Sequence, residues 1–452
     1  MSSEPARHRC RFCDSPLSRV FVDLGVSPLA NSYLEPEDLD RPETFYPLKA
    51  YLCEECLLVQ LPEAARPEEI FTDYAYFSSV SASWVEHARR YAEMAIARFR
   101  LAAESLVVEV ASNDGYLLRH FRERGVPVLG IEPAANVARA AEAAGVPTRN
   151  EFLTLATARV LAAEGVRADL LVGNNVLAHV PALNDFVAAL AALLAPEGVA
   201  TLELPHLLRL MAEHQFDTIY HEHFSYFSLH TVRRVLGAHG LAVFDVEELP
   251  THGGSLRVFA RHAGAADPPP RSFAFAQDDK DKRVGPFALG QDDKEKRVGS
   301  VALAHADKAG RVADLLARER EAGLLEPATY DAFEERVRAT KRGLLRFLLE
   351  ARERGERVAG YGAPAKGNTL LNYCGVGPDL VAFTVDRSPH KQGRYLPGTR
   401  IPIAAPDRLR EERPDYVLIL PWNLTDEIVE QMADVRAWGG RFVVAIPEVR
   451  VF

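Results

Sequence analysis

Between residues 105 and 205, short apolar runs alternate with alanine-rich stretches whose hydrophobic positions recur at helical spacing. The runs at 106–111, 128–131, 168–172 and 198–204 are rich in valine and leucine and read as buried strands. Strand and helix in turn predict a parallel sheet covered by helices. Upstream, an aromatic and serine-rich stretch at 71–84 leads into a helical pattern that continues to Phe99. Downstream, apolar positions at helical spacing over 330–350 predict one long helix. A second strand series then begins, at 357–361, 380–385, 416–420 and 441–445. The C-terminal part of the chain thus predicts a second α/β domain.

One segment breaks the pattern. Residues 273–285 recur almost letter for letter at 287–299. Each copy mixes acids and bases in a block and has little to bury, which predicts an inserted, exposed excursion. A chain of 452 residues also exceeds the roughly 250 at which single cores stop growing. Four segments follow: a small N-terminal module at 1–70, a central domain at 71–265, the duplication at 266–300, and a helical connection with the second α/β domain at 301–452.

Composition narrows the partners. Hydrophobic residues make up 48% of the chain, yet every apolar run is broken well short of the roughly 20 residues a membrane span requires. A net charge of -10 argues against nucleic acid, whose phosphates are held by basic surfaces. Neither a membrane nor a nucleic-acid partner is expected, and the self-contained domains are compatible with a monomer.

Four of the five cysteines form two pairs, Cys10-x-x-Cys13 and Cys53-x-x-Cys56. That spacing turns both sulfurs of a pair toward one ion, and four thiolates close a tetrahedral zinc shell without leaving a position for water. The zinc is therefore expected to be structural. Disulfides are the competing reading, but no apolar leader precedes the cysteines to direct them to an oxidising compartment, so a cytoplasmic, reduced protein is expected.

The chemistry starts at Glu109, Ala111, Asn113, Asp114 and Gly115. Here a strand runs into a tight turn of small residues and then a helix. A second strand ends in Glu132 and Pro133, where an acid can accept hydrogen bonds from both ribose hydroxyls of a nucleoside. The G-x-G-x-x-G spacing of a dinucleotide site is missing. Glu109 and Asp114 would repel a pyrophosphate but suit the positive amino acid end of S-adenosylmethionine. Asn174, Asn175 and His179 follow the fourth strand, where such a cofactor presents its sulfonium.

In these motifs the chain resembles the C-methyltransferases of deoxysugar biosynthesis, which act on nucleotide-linked 4-keto sugars. The resemblance spans nearly the whole chain. It rests on the two Cys-x-x-Cys pairs, on 109–115 and 174–179, on the segment from Tyr220 to Phe227, on Gly253 to Arg257, and on Gly360 to Asn368. It implies a small zinc module, a class I Rossmann-like S-adenosylmethionine domain and a C-terminal Rossmann-like α/β domain. It also marks His179 and one tyrosine of the pair Tyr74 and Tyr76 as active-site groups. Ala111 stands where many methyltransferases have glycine, and the duplication is foreign to the family pattern.

Methylating carbon requires a base beside an activated C–H. In Tyr220-x-Glu222-His223 the histidine is the candidate base, because its ordinary pKa lies nearest neutrality. Glu222 can orient a neighbouring group or hold the sugar, and Tyr220 can stabilise the enolate oxygen. His221, His223 and Glu222 are also metal-ligand types, and a polar packed loop is the plainer alternative. The turn from Gly360 to Asn368 follows a strand and precedes a helix. Lys366 and Asn368 there, together with Arg257, are candidate substrate contacts, with domain packing the alternative for the turn. A nicotinamide cofactor is the weaker possibility for Asp386 at the next strand end. The expected function is S-adenosylmethionine-dependent C-methylation of a small molecule, a nucleotide sugar by resemblance. The alternatives are O- or N-methylation and a non-catalytic zinc and nucleotide-binding module.

Overall fold

The computed structural model describes residues 8–64, 77–265 and 308–452. Tyr74, Tyr76 and the duplicated segment lie outside the described residues. The N-terminal module opens with a short hairpin, β1 (His8–Arg9) and β2 (Pro16–Leu17), followed by β3 (Arg19–Ser27), β4 (Tyr46–Leu52) and β5 (Val59–Gln60). The long β4 alternates polar and buried positions, as a strand with one covered face does. The buried face takes Leu48, Ala50 and Leu52 into a core shared with Phe21, Tyr330 and Phe333. Phe21 stacks on Phe333 at 4.5 Å.

The helix Ala82–Phe99 introduces the central domain. Ser81 caps it by accepting from Trp84 N, and Arg100 ends it in a left-handed conformation (φ 56°). Its buried face carries Ala88, Tyr91, Ala92 and Ala95. Its outer face is laced by Glu86, Arg89, Arg90 and Glu93 at i,i+3 and i,i+4 spacing. The polar and apolar stripes orient the helix so that Trp84 and His87 face the ligand end of the sheet beyond it.

That sheet is built from β6 (Val107–Val110), β7 (Val128–Ile131), β8 (Thr148–Arg149), β9 (Ala168–Asn174) and β10 (Leu194–Pro205). After a two-residue strand β11 (Ser225–Tyr226), it is completed by β12 (Leu241–Leu249) and β13 (Ser255–His262). Its order is β12-β13-β10-β9-β6-β7-β8, with β13 antiparallel to both neighbours and the strands from β10 to β8 parallel. The order reverses between β6 and β9, and open sheets of this kind bind ligands outside the strand ends at such a point. The four runs read as strands in the sequence are β6, β7, β9 and β10. The antiparallel pair β12 and β13 was not anticipated.

The helix Pro327–Glu353 has proline at its first turn and buries Tyr330, Phe333, Val337, Thr340, Leu344, Leu348 and Ala351 along one stripe. It spans from the N-terminal module to the C-terminal sheet, where Phe347 meets Tyr416 edge to face at 5.0 Å. The C-terminal sheet contains β14 (Val358–Tyr361), β15 (Thr384–Val385), β16 (Ile403–Ala404), β17 (Tyr416–Ile419), β18 (Arg441–Val444) and β19 (Arg450–Val451). Their order is β16-β15-β14-β17-β18-β19, parallel except for β19. The fold is thus the predicted α/β arrangement, with a zinc module and two Rossmann-like sheets. Among the described residues no helix is long and apolar enough to cross a membrane.

Candidate active site

The two cysteine pairs fold as matching knuckles. Asp14 N donates to Cys10 O and Leu57 N to Cys53 O, and both Asp14 and Leu57 adopt left-handed backbone (φ 60° and 63°). All four sulfurs lie within 4.8 Å of one another, and the Cys10–Cys56 and Cys13–Cys53 pairs are each 3.5 Å apart. Tetrahedral thiolates with Zn–S bonds of about 2.3 Å stand about 3.8 Å apart, so the donor set fits a closed zinc site.

At the end of β6 the chain turns sharply. Ala111, Asn113 and Gly115 have φ of 55°, 51° and 75°. A Cβ on Gly115 would lie 2.9 Å from a Val146 methyl, so both space and backbone require glycine there. Ala111 adopts the left-handed conformation that glycine would take without strain. Glu132, just after β7, accepts from Asn113 N at 2.9 Å and from Ala134 N at 2.8 Å, the latter across Pro133 in the chain. Burial raises its pKa, and these two backbone bonds oppose the rise. Asp114 Oδ2 accepts from Ser79, and Asn113 Oδ1 from Ser78 N.

Several acceptors at this end of the sheet are buried with no partner among the described residues: Glu109 Oε2, Asp114 Oδ1, Asn174 Oδ1 and Asn175 Oδ1. Burial pushes Glu109 well above the usual carboxylate range, and the charges of Glu132 and Asp114 add to the rise. Orphaned buried acceptors are costly unless a ligand brings donors. A ligand bearing an ammonium, ribose hydroxyls and an exocyclic amine supplies donors, whereas a pyrophosphate supplies none. These residues fit S-adenosylmethionine.

The segment after Ile219 stands against the same strand ends. His223 Nδ1 is 2.7 Å from Thr218 O. A carbonyl can only accept, so Nδ1 carries the proton and Nε2 keeps its lone pair. The His223 ring lies 4.0 Å from that of Tyr220 and 4.6 Å from that of His179. Burial, then the charge of His179, pushes the His223 pKa well below its ordinary value, so the ring is neutral at physiological pH. Burial likewise lowers His179 to about 4. Glu222 is buried and accepts from Asn31 Nδ2 at 2.7 Å, and its burial raises its pKa to about 7. His221 points away from His223, with Nε2 3.2 Å from Pro47 O. The metal grouping among the described residues is the cysteine cluster, not this segment.

The C-terminal sheet closes the opposite side. Lys366 Nζ donates to Asn423 Oδ1 at 2.8 Å and stands 4.6 Å from the Trp422 ring centre, both neutral partners. Burial lowers its pKa and the Asp217 charge partly restores it. Trp422 Nε1 in turn donates to Asp217 at 2.7 Å. His252 has left-handed backbone and is solvent-accessible, yet it is enclosed enough that desolvation lowers its pKa to about 4, as for a side chain projecting into a cleft. Asn368 is buried among its own helix, with Oδ1 3.2 Å from Asn372 Nδ2. Asp386 accepts from Ala363 N and Ser388 N, so its carboxylate braces the turn after β14.

Arg257, a candidate substrate contact, is held by protein partners. It is buried, donating to Glu203 and Glu247 at 3.1 Å each and lying 4.6 Å from the Tyr91 ring centre. Burial alone would raise Glu203, but His87 and Arg257 hold it down at about 2. Sequence reasoning missed Asn31, Tyr33, His87, Glu203, His252 and Trp422. Their signal was weak, since each is a lone polar or aromatic residue brought in from a distant element. Tyr33 illustrates it: its Oη is 2.6 Å from Ala363 O and 3.3 Å from Asn31 Oδ1, bridging the first module to the last sheet.

Comparison with known proteins agrees with this geometry. A zinc binding domain family matches residues 10–71, a methyltransferase domain family 84–246, and a C-methyltransferase C-terminal domain family 298–447. C-methyltransferase NovU of Streptomyces niveus is 37% identical over 445 residues, covering 98% of this chain and 96% of that protein. Among solved structures, magnesium protoporphyrin IX methyltransferase of Synechocystis with bound S-adenosylmethionine aligns with 43% of this chain and 89% of its own, at 15% identity and a TM-score of 0.31. The 1,6-didemethyltoxoflavin-N1-methyltransferase of Burkholderia thailandensis aligns with 46% of this chain and 95% of its own, at 17% identity and a TM-score of 0.33. With a cysteine cluster fit for zinc, a cofactor end lined by orphaned acceptors and a relative matched along almost the entire chain, this protein belongs to the zinc-binding, S-adenosylmethionine-dependent C-methyltransferases.

Proposed function

We propose that the protein methylates the carbon beside the ketone of a nucleotide-linked 4-keto deoxysugar. The observation that carries this reading is the His223 imidazole, whose Nδ1–H is tied to Thr218 O so that neutral Nε2 is free to act as a base. In this reading Nε2 removes the proton from C3, and the electron pair of that C–H bond passes into an enolate. The enolate carbon would take the methyl that a bound S-adenosylmethionine supplies, the new C–CH3 bond replacing the S–CH3 bond with S-adenosylhomocysteine as the second product. The proton on His223 then returns to solvent. Tyr220 and His179 stand beside His223 and serve to hold the ketone oxygen as charge develops. Whichever of Tyr74 and Tyr76 joins them lies outside the described residues.

The cofactor roles in this reading belong to Glu109, Asp114, Asn174 and Asn175 through their buried acceptors, and to Glu132 at the ribose. Lys366, with neutral partners in the cleft, supports an anionic group on the acceptor, as a nucleoside diphosphate is. Arg257 acts in this scheme by fixing Glu203 and Glu247 rather than by touching the acceptor.

The test is His223→Ala with an acceptor deuterated at C3. Turnover should fall about 10²- to 10⁴-fold, the usual worth of a general base, while S-adenosylmethionine binding by calorimetry is unchanged. In the wild type the deuterium should be lost as the methyl is gained. Turnover near wild type in the variant would remove His223 as the base, and product that retains the label would remove C3 as the methylated carbon.

A further inference from the structure

The catalytic segment is an edge strand of the zinc module's sheet. Two residues after His223, β11 pairs with β5, Ser225 opposite Gln60 and Tyr226 opposite Val59, extending the order to β11-β5-β4-β3. Leu61 N donates to Phe224 O at 3.0 Å, and Phe224 N to Ala178 O at 2.7 Å, immediately before His179. A two-residue strand has few ladder bonds with which to hold its own register. Side chains add to these backbone bonds.

Two side chains tie this ladder to the cysteine cluster. Gln60 is buried, and its Oε1 accepts from Arg11 N at 2.9 Å while its Nε2 donates to Cys10 Sγ at 3.1 Å. The Arg11 N–H can only donate, so it fixes the amide with nitrogen toward the sulfur. Arg11, the residue after Cys10, donates through its guanidinium to Pro181 O at 2.8 Å and also to Leu61 O, and it lies 5.3 Å from the Phe224 ring centre. Pro181 lies two residues after His179, Phe224 follows His223, and Leu61 is bonded to Phe224. Asn184 returns the contact by donating to Phe12 O at 2.9 Å.

We propose that Gln60 and Arg11 are positioning residues that make the zinc cluster set the placement of the histidine pair His223 and His179. A bound zinc would fix the position of the Cys10 sulfur to which Gln60 Nε2 donates. Gln60 then fixes β5 against β11, and Arg11 fixes the two backbone positions that flank the histidines. The cofactor end of the sheet, on β6, β7 and β9, lies outside this chain of contacts. Zinc thus serves the acceptor half of the site more than the cofactor half. The proposal rests on the reading of His223 as the base for its effect on turnover, but not for its effect on geometry.

The experiment uses zinc-loaded Gln60→Leu, which keeps bulk and removes both amide bonds. Zinc content, S-adenosylmethionine affinity, kcat and acceptor KM are measured, and the histidine side chains are followed by nitrogen-15 NMR. The expected result is a kcat lower by about 10- to 100-fold, the usual effect of an outer-shell partner, with acceptor KM and cofactor Kd within about twofold and zinc weakened against a chelator. The His223 and His179 ring resonances should shift, while that of His262 in β13 stays in place. Unchanged kcat and unchanged His223 resonances with zinc retained would overturn the proposal. So would a parallel loss of cofactor binding with all histidine resonances moving, since that is general loosening. Should Gln60→Leu fail to fold, Arg11→Lys carries the same criteria, because it keeps the charge and the backbone donor to Gln60 but not the reach to both carbonyls. His223→Ala run alongside separates the readings. If it retains turnover, the base assignment fails, and the resonance shifts still decide the coupling.

Discussion

Glu222→Gln should make the protein more stable above neutrality and less active at every pH. Glu222 is buried with its Oε1 accepting from Asn31, and its pKa of about 7 stands above the ordinary 4.5 because burial disfavours the charge. At about 1.4 kcal/mol per pH unit, holding that carboxylate ionised in the folded chain costs about 3 kcal/mol. Glutamine keeps an oxygen for Asn31 and carries no charge.

The sign follows from proton binding. Below pH 4.5 the carboxyl is protonated in both folded and unfolded chains, and the substitution changes little. Between 4.5 and about 7 the unfolded chain releases its proton while the folded chain retains it, so wild-type stability falls as pH rises. Above about 7 both states are ionised, and the variant should be ahead by the full amount, about 3 kcal/mol. Urea unfolding followed by tryptophan fluorescence reads this, since Trp84 and Trp422 flank the cleft. The same two proteins assayed for methyl transfer should differ by at least about tenfold in kcat if the carboxyl acts on the acceptor. A stability difference that does not grow between pH 4.5 and 8 would refute the burial argument. Full activity in the variant would remove Glu222 from the chemistry.

Two substitutions test the cofactor and metal assignments separately. Glu132→Gln weakens the acceptor that Asn113 N and Ala134 N brace, and should raise the S-adenosylmethionine Kd about 10- to 100-fold, the worth of one charged hydrogen bond, with zinc content unchanged; an unaltered Kd by calorimetry would exclude Glu132 from the ribose. Cys13→Ser removes one of the four thiolates, and metal analysis after dialysis against a chelator should fall from one zinc per chain to far below one; full retention would mean that Cys13 is not a ligand.

What the sequence made legible was what its local pattern determines. The strands β6, β7, β9 and β10 are apolar runs between helical stretches, and Glu109, Asp114 and Glu132 stand at their ends by position alone. The cysteine pairs carry their geometry in their spacing. The rest depends on residues far apart in the chain. Nothing local to Val59–Gln60 or Ser225–Tyr226 announces that these short stretches pair, because two residues have no period. Asn31 reaches Glu222 across 191 positions and Tyr33 reaches Ala363 across 330, contacts that no local pattern encodes. Arg257 read as a candidate substrate contact because a buried arginine and a ligand-facing one look the same in sequence. Its opposition to Glu203 and Glu247 across β13 is a property of strand register.

The base proposed for this site is one that its surroundings make weak. His179, His223 and His252 are all lowered by desolvation, and the Lys366 charge lowers His223 and His252 further. A base held this way is always unprotonated at neutral pH, so no enzyme is lost to the wrong protonation state, but its driving force for removing a carbon-bound proton is small. In the proposed reaction the acceptor remedies this. A nucleoside diphosphate brings negative charge into the cleft beside Lys366, offsets the field of that ammonium, and raises the His223 pKa only when the acceptor is present. The methyl donor adds a sulfonium, which favours the enolate over the ketone as the proton leaves. In that proposed reaction, burial keeps His223 unprotonated and leaves its strength to be set by the acceptor whose proton it removes.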